Sequence, residues 1–175
     1  MIKNILTLLL VGTLMPNCDQ SPETSKNMET SESTTETKAT IREKNMSTVR
    51  DFFELMHQKN LAKWSNLWDE NGFIYIPYPV SNFPDTIKSK KTISEGFQKL
   101  FAGFKSFNYQ ITEIYPSLDP DIIVVEYTVI ADLIKTNTTY NGNNIAVFKF
   151  RNGYILAYHD YFNPEKFKMV IETIS

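Results

Sequence analysis

Apolar positions follow two different periods along this chain, and the switch between them organises its folded part. Val49, Phe52, Phe53 and Met56 recur at helical spacing behind a capping Ser47 or Thr48, predicting a first helix to about Lys59. Leu61, Trp64, Leu67 and Trp68 repeat the pattern and predict a short second helix stopping near Asn71-Gly72, where glycine supplies a cap. Phe73 to Tyr78 alternates and reads as a strand, with Pro77 and Pro79 ending it and suggesting a sheet edge. Ser81 to Lys91 reads as a loop, and Thr92 to Phe104 as a third helix carrying Ile93, Phe97, Leu100, Phe101 and Phe104 on one stripe. The period then falls to two. Phe107 to Tyr115, Ile122 to Leu133, Asn144 to Arg151 and Tyr154 to Phe162 are strand candidates, separated by Pro116 to Pro120, Asn141-Gly142 and Asn152-Gly153. Pro164 opens a last helix to about Thr173. Helices gathered before and after an antiparallel meander predict an α+β fold with helices on one face of the sheet.

The first forty-six residues do not belong to that pattern. Lys3 followed by the uncharged run Ile5 to Met15 reads as an export signal, too short for a bilayer-spanning helix. The single cysteine, Cys18, sits just past it, where bacterial lipoprotein signals place the residue that is cleaved and acylated. Residues 1–18 are therefore expected to be a signal peptide, with the domain exported and anchored to a cell-envelope membrane through Cys18. Residues 19–46 are rich in Ser, Thr and Glu and have no aromatic, so a disordered tether is expected there. The folded domain is placed at 47–175.

Composition narrows the chemistry. All 23 aromatic residues lie at or beyond Phe52, enough to fill a core and line a pocket besides. A net charge of −2 supplies no basic surface for a phosphate backbone, which argues against nucleic acid as a partner. One cysteine and two histidines supply too few ligands for a tetrahedral Cys/His zinc site, and no metal or other cofactor is expected.

Three stretches resemble a known family. Phe73-Ile74-Tyr75-Ile76-Pro77-Tyr78-Pro79 with Phe83-Pro84, Val124-Val125-Glu126-Tyr127, and Gly153-Tyr154-Ile155 leading to His159-Asp160-Tyr161-Phe162-Asn163-Pro164 are similar to the SnoaL-like group of the nuclear-transport-factor-2-like superfamily, which includes the phenazine-biosynthesis A/B proteins. The resemblance implies a cone-shaped, strongly curved sheet enclosing a pocket, commonly in a homodimer. It covers polyketide cyclases and isomerases as well as binding proteins. Two departures stand out: Ser89-Lys90-Lys91-Thr92 replaces a glycine-led turn before the third helix, and His159-Asp160 replaces Arg-Glu in the last strand.

Strand alternation selects the candidate chemistry. In an uninterrupted last strand, Tyr154, Leu156, Tyr158, Asp160 and Phe162 share one face, opposite Ile155, Ala157, His159 and Tyr161. A carboxylate among such neighbours would be desolvated and its pKa raised into the range useful for proton transfer. Asp160 is accordingly the candidate acid or base, or else the cap of the helix starting at Asn163-Pro164. Tyr78, Tyr127 and Tyr158 are candidate donors to an oxyanion. Trp64, Trp68, Tyr75, Tyr78, Phe97, Phe101, Tyr127, Tyr158 and Phe162 are the candidate pocket lining. His159 is directed away from Asp160, Glu126 and Asp132 share one strand face, His57 reads as a surface residue, and Lys88, Lys90 and Lys91 as a solvated loop cluster. The expected function is a pocket for a small apolar molecule; the alternatives are a cofactor-independent isomerase or cyclase using Asp160, and a dimerisation module with a filled cone.

Overall fold

The computed structural model describes residues 26–174, so the expected export signal and Cys18 lie outside the described residues. The first helix, α1 (Lys26–His57), begins well before Ser47. What extends the folded unit is polar rather than apolar. Arg42 donates to the carbonyls of Ser117 and Leu118 at 3.2 and 3.3 Å, and the fully buried Asn45 donates to Pro120 O at 2.9 Å and Asp121 Oδ1 at 3.0 Å. Residues 26–46, expected to be part of a tether, are thus helical, and the last of them are fastened to the domain. The helix runs straight through Thr48, whose hydroxyl bonds back to Lys44 O.

After α1 the chain departs from the expected order. Helix α2 (Leu61–Ser65) ends after little more than one turn, and strand β1 (Trp68–Tyr75) begins where the second helix was expected to continue. Trp64 and Trp68 keep helical spacing, yet they reach the core from two different elements. Gly72 acts inside an irregular stretch of β1 and caps no helix; a side chain there would meet Asp69 O and the Trp68 ring, each at 2.9 Å. The expected loop contains a short strand, β2 (Thr86–Lys88), antiparallel to β1.

Helix α3 (Lys90–Ala102) is capped by Ser89, whose hydroxyl accepts from Thr92 N at 3.3 Å. Ser89 does so at φ 76°, ψ 141°, backbone territory that glycine occupies without cost. The family resemblance of the sequence implies glycine at this position of the turn. Holding a side chain there costs about 1–3 kcal/mol, whereas a Ser→Gly change at an N-cap costs only a few tenths. Ser89→Gly is therefore expected to stabilise the domain by about 1 kcal/mol. An upward shift of the urea midpoint at constant slope would show it; a downward shift would mean the hydroxyl cap outweighs the strain.

Strands β3 (Phe104–Pro116), β4 (Ile122–Leu133), β5 (Thr139–Arg151) and β6 (Tyr154–Tyr161) form the meander, and α4 (Pro164–Ile174) closes the chain. The six strands make one curved, unclosed sheet in the order β2-β1-β6-β5-β4-β3. It is not wholly antiparallel, because β1 runs parallel to β6. That pairing also takes β1 off the edge, leaving β2 and β3 as the edges. The β4–β5 turn lies at 134–138, where Asn137 takes φ 53°; Asn141-Gly142 is not a turn but part of β5. Asn152 and Gly153, at φ 54° and 79°, do form the β5–β6 turn.

A bulge at Leu156 alters the face assignment of β6. Phe150 pairs with Ile155 and Lys149 with Ala157, so Leu156 is the extra residue and Ile155 joins Tyr158 in the core. Beyond the bulge, Tyr158 and Asp160 stay on one face and His159 on the other. The inner face carries Ile123, Val125, Tyr127, Val129, Ala131 and Leu133 of β4 against Val49, Phe52, Phe53 and Met56 of α1.

Candidate functional site

Register brings the polar groups of the inner face together. Tyr127 of β4 stands opposite Asn144 of β5, and Ala146 of β5 stands opposite Asp160 of β6. Ala146 contributes no bulk, which leaves room for Tyr127 to reach across it. The Tyr127 hydroxyl donates to Asp160 Oδ1 at 2.7 Å, lies 3.0 Å from the Tyr158 hydroxyl and accepts from Asn144 Nδ2 at 3.1 Å. Asp160 caps nothing. The cap of α4 is Asn163, whose Oδ1 accepts from the backbone N–H groups of Glu165 and Lys166 at 3.0 and 3.2 Å.

This network faces a cavity of about 360 Å³. Its walls are mostly apolar, with Met56, Ile74, Phe97, Phe107, Val129 and Phe162 among the contributors. Exposed Thr92, Glu95 and Lys99 of α3 mark the open side. Asp160 is the only other charged group in the lining, and it keeps part of its surface accessible from the cavity.

The electrostatics follow from that position. Burial pushes the Asp160 carboxyl up to about 7, against the opposing pull of hydrogen bonds from Tyr127 and Tyr158. Burial also pushes the phenols of Tyr109, Tyr127 and Tyr158 well above their usual range, and the Asp160 charge adds to each. The phenols therefore remain donors at any pH where Asp160 titrates. A carboxyl poised near neutrality beside protonated phenols can take a proton from a bound molecule and give it back.

The candidate lining residues divide by face. Phe97, Tyr127, Tyr158 and Phe162 line the cavity with Asp160. Trp64 and Trp68 are buried around Phe52, with ring centroids 5.3 and 6.2 Å from it, behind the cavity wall rather than on it. Phe101 packs between Phe97 and Phe107 and does not reach the cavity. Tyr75 and Tyr78 are exposed, because alternation along β1 turns Ile74 inward and Tyr75 outward against His159. Tyr78 packs on Tyr161 and offers nothing to a cavity oxyanion.

His159 is half-buried on the far face from Asp160, its pKa lowered by burial and by Lys149. Asp132 is held low by hydrogen bonds from Ser106 and Thr139 on the outer face, and Glu126 meets Tyr115 there. His57 is exposed, with Nδ1 against Phe107 O at 3.1 Å. Lys90 pairs with Glu70 at 2.9 Å, while Lys88 and Lys91 are exposed. Among the described residues no group of three His, Cys, Asp or Glu side chains could hold a metal ion, and no helix is long and apolar enough to cross a membrane.

Three polar lining residues carried on the strands are not among the sequence candidates: Tyr109, Tyr140 and Asn144. Tyr140, Gly142 and Asn144 alternate on the inner face of β5, but a turn expected at Asn141-Gly142 takes Tyr140 out of the strand and leaves Asn144 as its first residue. Tyr109 follows Phe107 at strand spacing on β3, and that alternation is the signal that marks it as inward-facing.

The SnoaL-like domain model matches residues 49–158, which is most of the folded unit. The chain belongs to the SnoaL-like family. It is 30% identical over 122 residues to the uncharacterized protein YesE of Bacillus subtilis, spanning 70% of this chain and 83% of that one. A solved Bacillus subtilis structure named "Putative Isomerase" is 30% identical, covers 75% of this chain and 94% of its own, and superposes with a TM-score of 0.66. The phenazine biosynthesis-related protein phzb2 of Pseudomonas aeruginosa, 18% identical and covering 78% of this chain and 90% of its own, has a TM-score of 0.68 and shares the fold. The curved sheet with its covering helices is thus a nuclear-transport-factor-2-like cone.

Proposed function

We propose that this domain binds a small, largely apolar molecule in the cone cavity and moves a proton on it with Asp160, as a cofactor-independent isomerase or cyclase does. The observation that carries the reading is the placement of Asp160 in a mostly apolar cavity lining, held by the Tyr127 hydroxyl at 2.7 Å. The isomerase name of the 30%-identical Bacillus structure is in keeping with it. In this mechanism the Asp160 carboxylate removes a proton from the carbon beside a carbonyl. The C–H electron pair passes into the enolate, and its oxygen accepts a hydrogen bond from a cavity phenol such as Tyr158 or Tyr109. Returning the proton to a different carbon completes isomerisation; attack by the enolate carbon on a second carbonyl, with the proton on Asp160 passing to the alkoxide so formed, completes ring closure.

Asp160→Asn keeps the shape and removes the base. With an enolisable carbonyl compound that binds, solvent-deuterium incorporation should fall by about 10²–10⁴-fold while binding persists. Undiminished exchange in the variant would remove Asp160 from the mechanism. Binding without exchange in the unaltered protein would leave a binding domain only.

We also propose export with acylation at Cys18, and a homodimer formed through the outer sheet face, where Tyr115, Ile130 and Ile145 are exposed large apolar residues. Fatty-acid labelling that survives Cys18→Ser would defeat the anchor, and a monomer in sedimentation at micromolar concentration would defeat the dimer.

A further inference from the structure

Two buried polar atoms on the cavity wall have no hydrogen-bond partner within the protein: the Tyr140 hydroxyl and Asn144 Oδ1. Both residues are more than nine-tenths buried, at 4% and 7% exposure, and both line the cavity. Hydrogen-bond accounting fixes which end of Asn144 is free. The single Tyr127 proton goes to Asp160, so Tyr127 must accept from the Asn144 amide, and this leaves Oδ1 as the unpaired acceptor. The Asn144 side chain lies within hydrogen-bonding reach of the Tyr140 hydroxyl and opposes the rise in its pKa, yet the contact lacks the geometry of a formed bond.

Gly142 sits between the two on the same strand face. A β-carbon on it would fall 2.6 Å from the Tyr140 hydroxyl and 2.9 Å from Asn144 Oδ1. The absence of that carbon leaves the space beside both atoms unfilled. Nothing about the backbone asks for glycine at this position, since no positive φ occurs there.

We propose that Tyr140, Gly142 and Asn144 form a hydroxyl-recognition subsite, and that the molecule bound in the cavity is a neutral, mainly apolar compound carrying an alcohol, phenol or enol group. This rests on the cavity being the ligand site and deepens that reading by stating the ligand class. A hydroxyl accepts from the Tyr140 phenol and donates to Asn144 Oδ1 at once. A ketone oxygen would leave the Asn144 acceptor unpaired, an ammonium could not accept from the phenol, and a carboxylate would set its charge against Oδ1 and Asp160. The only base in the cavity lining, Lys99, is exposed on α3 and offers an anion little compensation. Burial holds the Tyr140 phenol at about 12, so it stays a donor throughout the physiological range.

The test compares two probes of similar size, 2-naphthol and 2-methylnaphthalene, by titration calorimetry at pH 6 on the full chain. 2-Naphthol is expected to bind about tenfold more tightly, the worth of one or two net hydrogen bonds. Tyr140→Phe and Gly142→Ala should each reduce that ratio to about twofold, the first by removing the donor and the second by covering the pair. In Tyr140→Phe the affinity for 2-methylnaphthalene should be unchanged, which separates loss of the subsite from loss of the fold. Asp160→Asn should keep the ratio. A ratio near one in the unaltered protein, or one that survives both subsite variants, overturns the inference. Loss of the ratio in Asp160→Asn alone places the hydroxyl on Asp160, overturning the subsite while leaving the proposed function standing. Failure of both probes to bind the unaltered protein would count against the cavity as ligand site and against the inference with it.

Discussion

Phe52→Ala is expected to lower the unfolding free energy by about 3–5 kcal/mol and the melting temperature by roughly 10 °C. Phe52 is fully buried where α1 meets the sheet. Its ring centroid lies 5.0 Å from Phe148, 5.2 Å from Phe53 and Tyr158, and 5.3 Å from Trp64. Truncation removes the buried area of a phenyl group and leaves a void that rings carried on two strands and two helices cannot close together. The change also reaches the site, because Tyr158 rests on Phe52 on one side and faces Tyr127 and Asp160 on the other. Urea denaturation of Phe52→Ala and Phe52→Leu measures it. The leucine variant, closer in volume, should retain well over half of the lost stability. A loss below about 1 kcal/mol in the alanine variant would mean that the helix is held chiefly by its polar ties.

Those polar ties explain much of what was and was not legible in the chain. Strand β4 was readable to the residue, Ile122–Leu133, because six inward apolar side chains alternate without interruption. The fold class was legible for the same reason, together with the helical stripe of α3. The start of α1 was not. Arg42 and Asn45 hold that end by side-chain hydrogen bonds to the β3–β4 loop, and hydrophobic periodicity carries no trace of such bonds. Trp64 and Trp68 were assigned to one helix because a four-residue spacing is all that a pattern records; the chain turns between them, and both still arrive in the same cluster.

The candidate site divides along similar lines. Asp160, Tyr127 and Tyr158 were legible because each lies on a strand whose alternation is unambiguous near it, and the bulge at Leu156 precedes Tyr158 and leaves its relation to Asp160 unchanged. Tyr140 and Asn144 were hidden by a local signal that tertiary pairing overrode. Asn-Gly favours a two-residue hairpin turn, but Gly142 pairs with Val129 and Asn141 with Ile130, and the turn moved to Asn137. The glycine is used there for the space it leaves above the strand. Which aromatics face the cavity was legible only where strand phase was known, so the outward-facing Tyr75 and the core Phe101 could not be told apart from true lining.

The stability of the unaltered protein should fall as pH rises from 4 to 8, relative to Asp160→Asn, by about 4 kcal/mol. The sign follows from where the proton is held. Asp160 has a pKa near 3.8 when unfolded and about 7 in the native state, so between those values the folded protein binds a proton that the unfolded chain has released. Stability then decreases with rising pH across that window, and the full penalty is present once pH exceeds the native value. Asp69 and Asp132 have the opposite tendency, both held low by hydrogen bonds, and stabilise the fold until pH drops through their depressed values. They are present in both proteins and cancel in the comparison. Asn at position 160 can still accept from Tyr127 and carries no charge to desolvate. The variant should therefore be the more stable protein at pH 8, with the two converging near pH 4. Denaturant titrations of both at the two pH values decide it. Equal stabilities at pH 8 would show that the native site solvates the Asp160 carboxylate as well as water does, and would withdraw the claim that burial tunes it. A variant that is more stable yet unable to exchange a substrate proton would instead identify Asp160 as a group kept at the expense of folding, for the chemistry it performs.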